Sequence, residues 1–275
     1  MKIVIPSYQR AETLTTPLLL EDVGADYVVV VHTDEERAAY IAAGRVPASR
    51  VVVSHAPPGV ASNRQWAMDN LVDFGDWYLQ MDDNVRGFDC VPDEMYNQRE
   101  IPTDKATQQY LRENAATTTE RFLEICEEMV VGCNRMGVSH FGFATTENWM
   151  FRSRKYSQVA FVVGKTVGLR KDGIAYDAKL LAMDDYGMTA EQLRVHGAVL
   201  VNRFAKPIST HYQAGGIGAY EARLPKKIRD VRYLMRKYPG LFRLNPRAGS
   251  HPEAEIVLRF HAVHQIDKWR RSLFA

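Results

Sequence analysis

Trp77-Tyr78-Leu79-Gln80-Met81-Asp82-Asp83-Asn84 decides how the rest of the chain is read. Five residues suited to a buried strand run straight into two carboxylates and an amide. A strand that delivers acids at its C-terminal end is how a parallel α/β sheet sets oxygen ligands beside a phosphate. Asp and Asn are also common in turns. The order of the strands around the motif separates the two readings.

Upstream, residues 1–6 predict a buried strand stopped by proline, residues 26–32 a second strand and residues 51–53 a short third one. Thr33 and Glu36 have the spacing of a capping box at the start of a helix, and residues 61–72 predict another helix after Pro57-Pro58-Gly59. Strands that read as continuous apolar runs and alternate with helices indicate a parallel sheet covered on both faces, with a Rossmann-like first half. The acidic motif then follows the fourth strand, at the edge where ligands of such sheets collect. That position favours the ion-holding reading, since Mg²⁺ or Mn²⁺ needs only one or two carboxylates when water and phosphate complete its shell.

Downstream, a polar, loop-like stretch extends to about residue 116, and Thr117 with Glu120 suggests a second capping box opening a helix to about 136. Strands are predicted near 140–143 and over 158–169, an ambiguous apolar stretch covers 174–183, a helix spans 189–196 and a strand 198–201. Asp184-Asp185 forms a second acidic pair. One of these carboxylates could take a proton from an attacking hydroxyl, or the pair could cap the helix that follows. Metal-assisted group transfer needs an ion holder and a base at separate points, so the two pairs count for more together than singly.

The loop Pro6-Ser7-Tyr8-Gln9-Arg10, Asp34 and Asn63-Arg64 fall at successive strand ends, where a nucleotide would lie. No Gly-x-Gly-x-x-Gly follows the first strand and no Gly-Lys-Ser/Thr loop is present, which disfavours dinucleotide and P-loop chemistry. His211 sits in a run with Gly215 and Gly216 that could close on a diphosphate through backbone amides, although a lone histidine is more often structural. Residues 148–156 (Asn-Trp-Met-Phe-Arg-Ser-Arg-Lys-Tyr) interleave cations with aromatics, a composition that binds phosphates and stacks on an exposed base or, equally, packs its rings on the core.

At 275 residues, 46% hydrophobic and 25% charged, the chain fits one α/β domain with appendages. Cys90, Cys126 and Cys133 lack disulfide or zinc spacing, which suits a reducing cytoplasm. No apolar stretch approaches the roughly 20 residues of a membrane span, and the N-terminus does not read as a signal peptide. The net charge of +2 hides an asymmetry: residues 203–275 hold 15 Lys and Arg against 5 Asp and Glu, and residues 1–202 hold 20 against 28. Lys226, Lys227, Arg229, Arg232, Arg236 and Lys237 recur along one predicted helix, and Lys268-Trp269-Arg270-Arg271 lies near the end. Such a tail suits a polyanion; a solvated helix face is the other reading.

Ile5-Pro6-Ser7-Tyr8-Gln9-Arg10, residues 59–64, Met81-Asp82-Asp83-Asn84 and Met183-Asp184-Asp185, in that order and spacing, resemble the motifs of GT-A glycosyltransferases. More narrowly, the chain resembles the TET-associated glycosyltransferases of phage and some eukaryotes over about residues 1–218. The resemblance implies a GT-A fold, a Rossmann-like sheet with an acceptor-side extension, followed over 219–275 by a basic helical segment packed on it. It implies a UDP-sugar donor, Mn²⁺ or Mg²⁺, and 5-hydroxymethylcytosine in double-stranded DNA as acceptor, in the host cytoplasm if phage-encoded. It assigns Pro6, Tyr8, Arg10, Asp34, Arg64, Asp82, Gly215 and Gly216 to the nucleotide and its diphosphate. Asp83 with help from Asp82, and His211, would hold the metal, and Asp185 beside Asp184 would be the base. Two positions depart from the family pattern: Asn84 stands third in the metal motif, and Asp184 replaces the usual Glu. The alternatives are the same fold acting on a saccharide, lipid or protein acceptor, and a DNA-binding module with a degenerate transferase core. A pyrophosphorylase is disfavoured because residues 7–10 lack a glycine-rich, lysine-containing loop.

Overall fold

The computed structural model describes residues 1–209, 220–247 and 249–259. In chain order the elements are β1 (Lys2–Pro6), α1 (Thr16–Glu21), β2 (Tyr27–Val31), α2 (Asp34–Ala42), β3 (Val51–Val53), α3 (Val60–Leu71), β4 (Trp77–Met81) and β5 (Val85–Cys90). There follow α4 (Asp93–Tyr96), α5 (Lys105–Asn114), β6 (Ala116–Thr117), α6 (Thr119–Met136), β7 (His140–Phe143), β8 (Tyr156–Ser157), β9 (Thr166–Arg170) and α7 (Asp184–His196). The last are β10 (Leu200–Asn202), β11 (Ala205–Ser209), α8 (Tyr220–Lys237), β12 (Phe242–Leu244) and β13 (Ile256–Leu258).

The main sheet has the order β3-β2-β1-β4-β9-β7-β10-β8. Its first four strands are parallel, as the continuous apolar runs imply. The second half is mixed: β9 lies antiparallel to both β4 and β7, while β7 and β10 are parallel to each other. Hence β1, β2, β3, β4, β7 and β10 all point their C-terminal ends to one edge. Alternate side chains of each strand enter two different cores. Ile3, Ile5, Val29, Val31, Leu79 and Met81 pack with α1, α2 and α6, whereas Val4, Val30 and Tyr78 pack with α3, α7 and α8. The chain winds outward from β1 through β2 to β3 and returns to β4, so the winding reverses between β1 and β4, the point at which sheets of this kind bind ligands.

Several expectations are corrected. The stretch from 85 to 116 is not loop-like: it holds β5, α4, α5 and β6, and β5 pairs with β11 in a separate three-stranded sheet. That pairing joins segments more than a hundred residues apart, so neither strand carries a local signal. Thr118, not Thr117, caps α6 and accepts from Arg121 N at 3.2 Å; three successive threonines leave that register open in the sequence. Of 158–169, only Thr166 onward is strand, and the ambiguous 174–183 stretch is irregular. The helix expected from 189 begins at Asp184, because Gly187 inside it is a packing residue rather than a breaker: a Cβ there would lie 2.3 Å from Leu180 Cδ1.

The segment from α8 onward packs Val231, Leu234, Tyr238, Leu241, Phe242 and Ile256 into the same core as α3 and α7. Several of its cations are engaged within the molecule. Lys227 meets Glu255 at 2.6 Å, Lys237 meets Asp177 at 2.9 Å and Glu191 at 3.1 Å, and Arg229 meets Asp230 at 3.1 Å. Lys226, Arg232 and Arg236 are exposed. The 268–271 cluster lies outside the described residues. All three cysteines are buried thiols, and no helix among the described residues is long and apolar enough to cross a membrane.

Candidate functional site

The site is built at the C-terminal edge, across the β1/β4 reversal. Ser7 and Arg10, just past β1, reach over to Asp83, just past β4. Ser7 Oγ donates to Asp83 Oδ2 at 2.6 Å and Arg10 Nη1 donates to Oδ1 at 2.8 Å, while the Asp83 backbone oxygen accepts from Thr15 and Thr16. Tyr40 from α2 closes the corner: its hydroxyl lies 2.6 Å from Ser7 Oγ and accepts from Arg10 N at 3.0 Å. Asp83 is therefore buried with both oxygens engaged. Asp82 is different. Its side chain is 37% exposed, Oδ1 accepts from Arg64 Nη2 at 3.3 Å, and Oδ2 accepts no hydrogen bond among the described residues.

Arg64 joins the two acidic motifs that the sequence keeps a hundred residues apart. It comes from the second turn of α3, whose N-cap is Gly59, a position with φ +142° that favours glycine. Its Nη1 donates to Asp184 Oδ2 at 2.6 Å, and its Nη2 donates both to Asp82 and to Gly164 O at 2.9 Å. Burial works against the charge of Arg64, and the carboxylates of Asp184, Asp82 and Asp185 outweigh it, so the guanidinium holds its proton more firmly than usual. Gly164 gives this contact its space, since a Cβ there would lie 2.6 Å from Arg64 Nη1 and 3.2 Å from Asp185 Cβ.

Asp185 is half-buried beside this bridge. Gly164 N donates to its Oδ2 at 3.1 Å and Tyr186 N to its Oδ1 at 2.9 Å. Burial first, and the neighbouring Asp184 second, hold its carboxyl well above the ordinary carboxylate range. Burial likewise raises Asp82 to about 6, with Asp83 and Asp184 adding to the rise and Arg64 and Lys165 opposing it. The backbone that carries the second pair is fixed from α8: Asp230 Oδ2 accepts from the amides of Leu181, Ala182 and Met183 at 2.8, 2.7 and 3.2 Å. Four carboxylates thus surround two buried guanidinium groups, and with the Lys165 ammonium close to Asp82 one negative charge is left for a cationic partner to offset. Lys165, whose backbone oxygen accepts from Asp82 N at 2.6 Å, stands at the same corner.

Towards β2 and β3 the edge opens. Tyr8 is exposed and meets the His32 ring edge-on at 5.8 Å. Asp34 is exposed at the start of α2, 3.9 Å from His55 Nε2. Glu36 bonds His32 N and Gln9 N, so the capping box is half formed: Thr33 accepts from Glu36 N, but the Glu36 side chain ties the β1 loop to the end of β2. Gln9 and His55 are the two non-glycine residues at positive φ among the described residues, and both lie in loops of this edge.

Of the residues expected from the sequence, the structure thus brings Tyr8, Arg10, Asp34, Arg64, Asp82, Asp83, Asp184 and Asp185 to one edge, with Pro6 closing β1 beneath them. His211, Gly215 and Gly216 lie outside the described residues. Gly164, Lys165 and Asp230 were missed. Asp230 had a signal, as the one carboxylate between residues 222 and 252. Gly164 had none short of knowing what packs against it. Among the described residues no three His, Cys, Asp or Glu side chains converge as ready metal ligands.

A Rossmann-like parallel half-sheet with two acidic pairs joined by a buried arginine at its C-terminal edge fits a class, the group-transfer enzymes. Residues 1–198 match the model of the TET-Associated Glycosyltransferase family, and the chain belongs to that family. It is a glycosyltransferase. No curated protein matches the chain. The family match ends before β10, so β11, α8 and Asp230 lie beyond it although they share the core and brace the second acidic pair.

Proposed function

We propose that this glycosyltransferase moves a sugar from a UDP-linked donor to the hydroxyl of 5-hydroxymethylcytosine in double-stranded DNA, by an inverting displacement in a GT-A site. The observation that carries the reading is the Arg64 bridge, which ties Asp184, the chain neighbour of the raised-pKa acid Asp185, to the carboxylate of Asp82 at the end of β4. Asp185 accepts the proton of the acceptor hydroxyl as that oxygen bonds to the anomeric carbon, and the bond from that carbon to the diphosphate breaks. Asp184, paired with Arg64, positions the base. Tyr8 offers an exposed ring to the nucleobase and Asp34 an acceptor to the ribose, and Lys165, close to Asp82, offers a cation to the leaving diphosphate.

A divalent ion fits the surplus negative charge. As placed, Asp83 has no oxygen to spare, so Asp82 is the carboxylate that would hold the ion, and when bound it would neutralise charge on the diphosphate. DNA as the acceptor rests on the family, whose name ties it to modified DNA, more than on the α8 cations, of which several are engaged internally.

The test is direct. The protein is incubated with Mn²⁺, a panel of UDP-sugars and duplex DNA with or without 5-hydroxymethylcytosine, and the DNA is digested to nucleosides for mass analysis. A sugar-sized mass gain confined to the hydroxymethylated duplex supports the reading. Donor hydrolysis without any gain on DNA would move the acceptor to another class.

A further inference from the structure

Between β7 and β8, residues 144–155 make an excursion that is pinned from inside. Trp149 and Arg152 are both buried, Arg152 completely, and the guanidinium lies 3.5 Å from the centre of the Trp149 ring. Arg152 donates to Asp89 Oδ1 at 2.8 Å, to Arg203 O at 2.8 Å and to Phe204 O at 3.0 Å. A guanidinium is buried only where acceptors offset its lost hydration, so this is a built anchor. Asn148 Oδ1 accepts from Met150 N, and Arg203 Nη1 donates to Phe151 O at 2.9 Å. What the anchors hold outward are Met150 and Phe151, 56% and 63% exposed.

These adjacent large apolar side chains, more than half exposed on a fixed turn, are open to contact with a partner. The excursion leaves the same edge as Asp82, because β7 runs parallel to β4 through the antiparallel β9 between them. It is also tied to that edge, Ala144 N donating to Ala205 O at 3.1 Å and Lys206 Nζ lying 3.2 Å from Glu147. Around it stand Arg152, Arg154, Lys155, Arg203 and Lys206, against Asp89, Glu100 and Glu147. Each of those acids is paired with one of these cations, which leaves Arg203 and Lys155, the latter over the Tyr96 ring with Glu128 near it, on a body that is otherwise acidic. Phe74 is more exposed, but it lies before β4 at the opposite edge between Asp73 and Asp76, the wrong charge for a polyanion.

We propose that Met150 and Phe151 form a wedge that enters the base stack of duplex DNA and fills the gap left when the acceptor nucleotide swings out to the acidic centre. The wedge rests on DNA being the acceptor. The hydroxymethyl group of a stacked cytosine projects into the major groove, but Asp185 is half-buried with both oxygens engaged, so extruding the nucleotide is what brings the hydroxyl to it. Apolar side chains flanked by cations are the means by which proteins open a base step.

The test compares initial transfer rates on hydroxymethylated duplex and on the single strand of the same sequence. The enzymes are wild type, the double variant Met150→Ser/Phe151→Ser, the conservative Phe151→Trp, and Phe74→Ser as a surface control. The double variant should lose on the order of tenfold or more on the duplex and keep its single-strand rate, because an unpaired base needs no wedge. Phe151→Trp and Phe74→Ser should retain duplex activity, and 2-aminopurine beside the target should brighten with wild type but not with the double variant. An unchanged duplex rate in the double variant, or an equal loss on both substrates, overturns the wedge alone. A wild type that acts on neither DNA substrate overturns the acceptor assignment, and the wedge with it.

Discussion

Replacing Arg64 with methionine keeps most of the side chain's length and removes its charge. In the native site Arg64 neutralises Asp184 at 2.6 Å and Asp82 at 3.3 Å, and the side chains of Arg64 and Asp184 are 8% and 5% exposed. Removing one partner of a buried pair costs about 3–5 kcal/mol, since the other charge is left without hydration or counter-charge. A chain of this size loses roughly 2–4 °C of melting temperature per kcal/mol, so the fall should be about 6 °C or more. The deficit should also depend on pH. Arg64 restrains the carboxyls of Asp82 and Asp185, both already raised by burial, so in the variant they rise further. A carboxyl raised by folding binds its proton more tightly in the folded chain, so stability falls as pH climbs from the unfolded to the folded value. The variant's deficit should therefore be larger at about pH 8 than at about pH 5. Melting curves of both proteins at the two pH values measure it, and Asp184→Asn added to the variant should recover part of the loss. A variant that melts with wild type at the alkaline pH, or a deficit that does not shrink towards acid, would refute the bridge.

Gly164→Ala should cost about 1–3 kcal/mol by overpacking against Arg64, and its transfer rate should fall with its melting temperature because the bridge is what moves. Asp230→Asn should weaken three charge-assisted bonds, lower stability by about 1.5–3 kcal/mol and reduce kcat more than it raises the donor KM, since it loosens the backbone beneath Asp184 and Asp185. The rate should climb with pH along a limb centred well above the ordinary carboxylate value, because a base works deprotonated and burial with Asp184 keeps Asp185 protonated to higher pH. A limb at the value of a solvated carboxylate would remove Asp185 from that role.

The first half of the fold was legible because β1 to β4 are short, mostly buried and largely apolar on both faces, which no other arrangement of such runs satisfies easily. The second half was not, for reasons visible at particular residues. The direction of β9 depends on what lies beside it, β5 and β11 pair across a long separation, and Gly187 reads as a breaker until Leu180 is seen against it. At the candidate site, strand-end logic placed Asp82, Asp83 and Arg64 at one edge, and the second acidic pair was read from its own composition. Neither could find that Arg64 joins the two pairs, that Asp83 is held by Ser7 and Arg10 while Asp82 keeps an oxygen, or that Gly164 makes room. Those facts belong to tertiary packing, and spacing along the chain carries no trace of them.

Under the proposed function the Arg64-bridged centre transfers a sugar to a hydroxyl on DNA with Asp185 as its base. The measurement that tests it most directly is sugar incorporation into hydroxymethylated duplex by wild type and by Asp185→Asn, each with UDP binding determined on the same preparation. Incorporation by wild type, none by the variant and equal UDP binding by both is the predicted result. A variant that binds UDP and transfers at the wild-type rate would contradict it.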